Sequence, residues 1–154
     1  MPPSGDAAAA SPAQLRAGTG RRVRRELGLR SVAALVLAGI YGALAVYGAS
    51  GTADQIGVPF VVFGLAGALA LLVLSVAMRT ARRAITGDTY DRPAIGRARK
   101  AVQATLALLA IAAVVALIAG TVTLGGGLAG LTVLGLAAAF AVTADGWRTL
   151  RHLG

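Results

Sequence analysis

The sequence predicts an all-α integral membrane protein with four transmembrane helices arranged as two hairpins. Three observations carry this. Four apolar runs, near 31–49, 58–78, 101–120 and 124–143, contain no Asp, Glu, Lys, Arg or His. All fifteen Lys and Arg fall in three flanking segments: the N-terminal tail, the middle loop and the C-terminal end. Charged residues make up 14% of the chain, against about 25% in soluble globular proteins.

A bilayer core of roughly 30 Å takes about 20 apolar residues per helix. Four such spans leave no room for a second domain in 154 residues. The domain organisation is therefore a disordered tail over 1–20 and a single four-helix domain over 21–154. Only helices or closed barrels satisfy every backbone group in lipid. Barrel strands would alternate polar and apolar residues; these runs are apolar on every side, so helix is the reading.

Residues 1–20 are mostly Ala, Pro, Ser and Gly, a composition with little to pack. A basic stretch then leads into the first span. Tyr47-Gly48-Ala49-Ser50-Gly51 ends that span, since Gly stops helices. Pro59 fits the first turn of the second helix, where its missing N–H is not needed. The second helix runs to the Arg79–Arg83 cluster. Residues 86–93, Thr-Gly-Asp-Thr-Tyr-Asp-Arg-Pro, read as a turn-rich loop. Pro93 opens a helix that passes through the basic turn at 97–100 into the third span. Gly125, Gly126 and Gly127 mark the second short outer turn or the start of the fourth helix. Trp147 falls just beyond the fourth run, where an indole favours the membrane interface.

The net charge of +9 reflects topology rather than nucleic-acid binding. Basic residues flank the spans without exception on one side, and Lys and Arg stay cytoplasmic. Both termini and the middle loop are therefore expected inside the plasma membrane. These arginines are also expected to meet anionic headgroups. The preference for Arg over Lys, with so much Ala and Gly, suggests a high-GC prokaryote. The chain has no cysteine, so no disulfide or thiolate metal site can form.

The two halves resemble each other. Arg22-Val23-Arg24-Arg25 precedes the first span as Arg97-Ala98-Arg99-Lys100 precedes the third. Arg79-Thr80-Ala81-Arg82 follows the second as Arg148-Thr149-Leu150-Arg151 follows the fourth. Two helices per half return the chain to the same side, so such repeats would be parallel. The alternative explanation is that any two cytoplasmic flanks are Arg-rich.

Burying Leu gains little in lipid, so close backbone packing must hold the helices together. In the first span Ala34, Ala38, Gly42, Ala45 and Ala49 form a small-residue stripe. Val36, Ile40, Leu44 and Tyr47 form a bulky face. Gly64 with Ala68, Ala112 with Ala116, and Gly126 with Gly130 offer similar contacts in the other spans. The fourth run, rich in Gly, Ala and Thr, is expected to be surrounded by protein, which points to a homo-oligomer or a larger membrane complex.

The spans contain no ionisable acid, base or His, and intramembrane ionisable groups are what pumps and proton relays use. Their polar groups include the hydroxyls of Tyr41, Tyr47, Ser75, Thr105, Thr132 and Thr143. His152 stands alone, so no metal, cofactor or catalytic set is expected. Asp145 is expected to pair with Arg148 or Arg79. The loop bearing Asp88, Tyr90, Asp91 and Arg92 is the candidate contact for a cytosolic partner. The expected function is a non-enzymatic structural or accessory subunit; an oligomeric pore or carrier for an uncharged solute is the alternative.

Overall fold

The computed structural model describes residues 13–14, 19–50, 57–87, 89–123 and 126–152. Its architecture is all-α, with four helices: α1 (Thr19–Ala49), α2 (Gly57–Ala84), α3 (Arg92–Thr123) and α4 (Gly126–Arg151). All four are long and apolar enough to cross a membrane. Each helix outlasts its apolar run and continues into the basic flank. Arg side chains can extend from a helix end into the interface without leaving helical geometry.

α1 packs along α2, and α3 along α4, as the short connections demand. α2 also packs along α3 and α4. Half of α2's most apolar stretch is buried, against 28% for α4. In the single chain the enclosed helix is thus α2. The Gly/Ala-rich α4, expected to be surrounded by protein in an oligomer or larger complex, leaves Leu131, Leu134, Phe140 and Val142 exposed in the single chain.

Two buried clusters fill the bundle. At the Arg-rich end, Leu27, Met78, Ile85, Val102 and Leu150 meet, one or more from each helix and the middle loop. Further along, Phe63, Ala70, Leu109, Leu136 and Ala139 form the second. The first cluster places the basic flanks of all four helices at one end of the molecule.

Two features of the flanks differ from expectation. Within 1–20, Ala13–Gln14 form a strand, β1, and α1 already begins at Thr19; the remainder of that tail lies outside the described residues. The middle loop is a small hairpin, β2 (Ile85–Thr86) and β3 (Thr89–Tyr90), with β1 antiparallel to β3. Thr86 pairs with Thr89, so the turn has two central residues. Such turns need positive φ at the first, which Gly87 supplies at 61°. Ile85 is 1% exposed and Tyr90 packs on the same cluster, which anchors the hairpin under the bundle. Pro93 lies in the first turn of α3, as its sequence position implies.

Candidate functional site

Three residues of the α1 small-residue stripe are buried, while Gly42 is half-buried and Ala49 is exposed. Ala34, Ala38 and Ala45 are buried at 2%, 5% and 5%, whereas Val36, Ile40 and Tyr47 are more than half exposed. Gly42 departs from the stripe: a Cβ there would meet nothing within 4 Å. The buried seam instead passes through Tyr41, whose ring crosses Gly67 of α2.

Gly64 makes the close approach of α2 to α1. A Cβ on it would lie 2.7 Å from the Ala45 nitrogen and 2.8 Å from the Tyr41 carbonyl oxygen. Gly48 and Gly57 make a second one at the far end of the hairpin. A Cβ on either would fall 2.5 or 2.6 Å from the other's carbonyl oxygen. In sequence these two glycines read as helix punctuation, which hid their packing role.

Of the other packing candidates, Ala68 is half-buried on α2. Ala112 packs against the second cluster. Gly130 is exposed, with nothing within 4 Å of a Cβ. The surroundings of Ala116 and Gly126 lie outside the described residues. In the candidate partner loop, Asp91 and Arg92 are exposed at the start of α3, and Tyr90 is turned into the core. Asp88 lies outside the described residues.

Polar side chains collect on the seams between α1 and its neighbours. Ser75 Oγ donates to the Ser31 carbonyl at 3.0 Å, and Ser31 Oγ to the Ser75 carbonyl at 3.2 Å. Both serines are 2% exposed. Arg79 Nε donates to Ser31 Oγ at 3.2 Å, so the pair is capped from the basic end. Deeper in the span, Tyr41 Oη donates to the Gly135 carbonyl of α4 at 2.8 Å. Its ring meets Phe63 edge to face, centroids 6.2 Å apart. Gly135 leaves room for that Phe63 ring.

Asp145 takes neither of its expected partners. Arg30 Nη1 donates to Asp145 Oδ2 at 2.7 Å and also reaches Thr149 Oγ1. Nη2 of the same guanidinium donates to Glu26 Oε1 at 3.1 Å. Arg79 is committed to Ser31, and Arg148 lies on α4 itself. Arg30 crosses from α1 with a planar fork, and Asp145 and Thr149 stand one turn apart on its face of α4. Nothing in one sequence fixes which arginine faces an acid on another helix.

Two further hydroxyls bond within their own helices. Thr105 Oγ1 donates to Ala101 O at 2.9 Å and Thr143 Oγ1 to Ala139 O at 2.7 Å. Trp147 packs against the first cluster, with the Arg151 guanidinium 5.6 Å from its ring centre. Among the described residues, no three His, Cys, Asp or Glu gather at one point. The hydroxyls of Ser31, Tyr41 and Ser75 join helices, while the buried Trp147 indole N–H has no hydrogen-bond partner among the described residues. The arrangement serves to fix the bundle, and it places no nucleophile beside a base.

Comparison with protein-family profiles, with characterised proteins and with solved structures gave no match.

Proposed function

We propose that this protein is a non-enzymatic structural or accessory subunit of a prokaryotic plasma membrane. Its Arg-rich end and both termini face the cytoplasm. It assembles with copies of itself, or within a larger membrane complex, through small-residue helix faces.

One observation supports this reading most: the chain turns its polar groups inward and leaves small residues outside. On α1, Gly39 and Ala43 are exposed, and Gly42 has open space beside it. On α4, Gly130, Ala137, Ala138 and Ala141 are exposed. Small residues allow the backbone contact that associates helices in lipid, and these face outward, beyond the contacts the chain makes with itself.

The test is the mass of the particle purified in mild detergent, and what accompanies it. A Cβ at Gly42 has open space around it, so Gly42→Leu should shift the assembly to a smaller particle while leaving the melting temperature of the chain unchanged. A wild-type protein that runs as a lone monomer with no companion would overturn the proposal. So would an assembly indifferent to large residues at both Gly42 and Gly130.

A further inference from the structure

Two adjoining grooves open between α2 and α3. One, of about 380 Å³, is lined by Val76, Thr80, Arg97 and Ala101 among others. The next, of about 270 Å³, shares Val73 and continues along Leu69, Thr105 and Leu108. Together they form an apolar gutter that begins at Arg97, at the basic end, and follows the helices into the span. Arg97 is the one charged residue lining it, and no ion pair engages it among the described residues. Arg83 follows Val76 and Thr80 at helical spacing on α2, one turn beyond the mouth, and is likewise exposed.

The residues lining this gutter can be compared with those at the corresponding positions of the other half. The flanking motifs align Arg22 with Arg97 and Arg79 with Arg148. Carried along the helices, that alignment sets buried residue against buried residue. Leu27 meets Val102 and Ala34 meets Leu109; Ala70 meets Ala139, Leu74 meets Thr143 and Ala81 meets Leu150, all 5% exposed or less. The α2–α3 gutter is then the counterpart of the α1–α4 seam. Between α1 and α4 the contact is made by side chains: Arg30 reaches Asp145 and Thr149, and Tyr41 donates to the Gly135 carbonyl. The counterparts of Arg30, Asp145, Thr149 and Gly135 are Thr105, Val76, Thr80 and Ala66, and all four line the gutter. The α1–α4 positions carry side chains that bridge the two helices, whereas their counterparts between α2 and α3 line an apolar groove with an arginine at its mouth.

We propose that the α2–α3 gutter binds one anionic phospholipid. The phosphate sits on Arg97, with Arg83 beside it, and an acyl chain lies along Val73, Val76 and Leu108. A guanidinium pairs with a phosphate through two parallel hydrogen bonds, and an acyl chain matches the apolar lining. A second copy of the chain fits less well. It would have to bring an acid to Arg97; among the described acids Glu26 and Asp145 are already held by Arg30, which leaves Asp91 at the start of α3. A whole helix, about 10 Å across, would lie over the groove rather than in it. This inference rests on the four spans and the groove, and stands apart from the accessory-subunit reading.

The experiment is thermal stability of the full chain in mild detergent, titrated with phosphatidylglycerol or phosphatidylcholine. Phosphatidylglycerol should raise the melting temperature and phosphatidylcholine should not. Arg97→Gln should weaken the phosphatidylglycerol response about fivefold, the effect of one basic residue at a charged headgroup. Arg22→Gln, exposed at the corresponding position of the first half, should leave it unchanged. Val73→Phe with Val76→Phe, both at exposed positions, should fill the groove and abolish the response while preserving the lipid-free melting temperature. Should that pair fail to fold, Leu108→Phe serves the same purpose. Equal losses from Arg22→Gln and Arg97→Gln would mean diffuse electrostatic adsorption and would overturn the site. An undiminished response in the filled variant would also overturn it. If filling the groove splits an oligomer and leaves the lipid response intact, the occupant is a second copy and the proposal fails.

Discussion

Arg30 Nη1 lies 2.7 Å from Asp145 Oδ2 and ties the start of α1 to the end of α4. The side chains are 34% and 67% exposed, so water and salt screen the pair. Arg30→Gln and Asp145→Asn are each expected to cost no more than about 1 kcal/mol. The double variant should cost less than the two together, because each single change already breaks the same contact. Melting curves in detergent at low and high salt check this, and the single-variant losses should shrink as salt rises. Fully additive losses would show that the two groups do not interact.

Gly64 and Gly42 make opposite predictions on neighbouring helices. A methyl group at Gly64 collides with the α1 backbone, where no flexible side chain can give way. Gly64→Ala should therefore push α1 from α2 and destabilise the fold by about 1–3 kcal/mol, the usual range for overpacking. Gly42→Ala has open space and should be nearly silent in the monomer. The comparison is a pair of thermal melts under conditions where the protein is dispersed to single chains. Equal losses would mean that the stripe, and not the close approach at Gly64, controls packing.

Tyr41 bridges α1 to α4 through its hydroxyl and fills the space over Gly67 with its ring. Tyr41→Phe keeps the ring and loses one interhelical hydrogen bond, for which about 0.6 kcal/mol is typical in a membrane protein. Tyr41→Ala removes the ring as well and should cost several times more, about 3–5 kcal/mol if the cavity does not collapse. If the two variants melt together, the hydroxyl carries the contact and the ring does not.

The sequence was explicit about anything set by solvent. The charge-free runs gave the spans, and the alternation of Ala34, Ala38 and Ala45 with Val36 and Ile40 gave the faces of α1. It was silent where the answer depends on which helices touch. Asp145 had several arginines within plausible reach, and only the crossing of α1 over α4 selects Arg30. Ser31 read as the first residue of an apolar run, and only its register against Ser75 makes it half of a buried pair. Gly48 and Gly57 read as helix punctuation because a close approach is a property of two segments. The enclosure of α2 rather than α4 has the same origin. Composition says how well a helix tolerates lipid; the topology decides whether it meets any.

The one-sided distribution of Arg and Lys predicts the orientation. Cysteines introduced singly at Asp54 and Asp88, in a chain that has none, should label oppositely. Position 54 should react with an impermeant maleimide in intact cells, and position 88 only after lysis. The positive-inside rule favours this assignment, so the reverse labelling would overturn the proposed sidedness.

A last prediction concerns transport. A proton-coupled carrier moves its proton through an ionisable group at membrane depth. The apolar runs of this chain contain none, and Asp145, the acid nearest a span, is engaged by Arg30 at the basic end. The buried hydroxyls of Ser31 and Ser75 are spent on each other and on Arg79. Purified protein in liposomes should therefore show no solute flux driven by a pH gradient and no ion conductance above empty liposomes. Flux that vanishes in Asp145→Asn would mean that the Arg30 pair opens during a transport cycle, and would replace the accessory-subunit reading with a carrier. Flux that survives in Asp145→Asn would instead place the pathway at an interface between copies. In that case Gly42→Leu, at a position where a Cβ has open space around it, should abolish flux and assembly together.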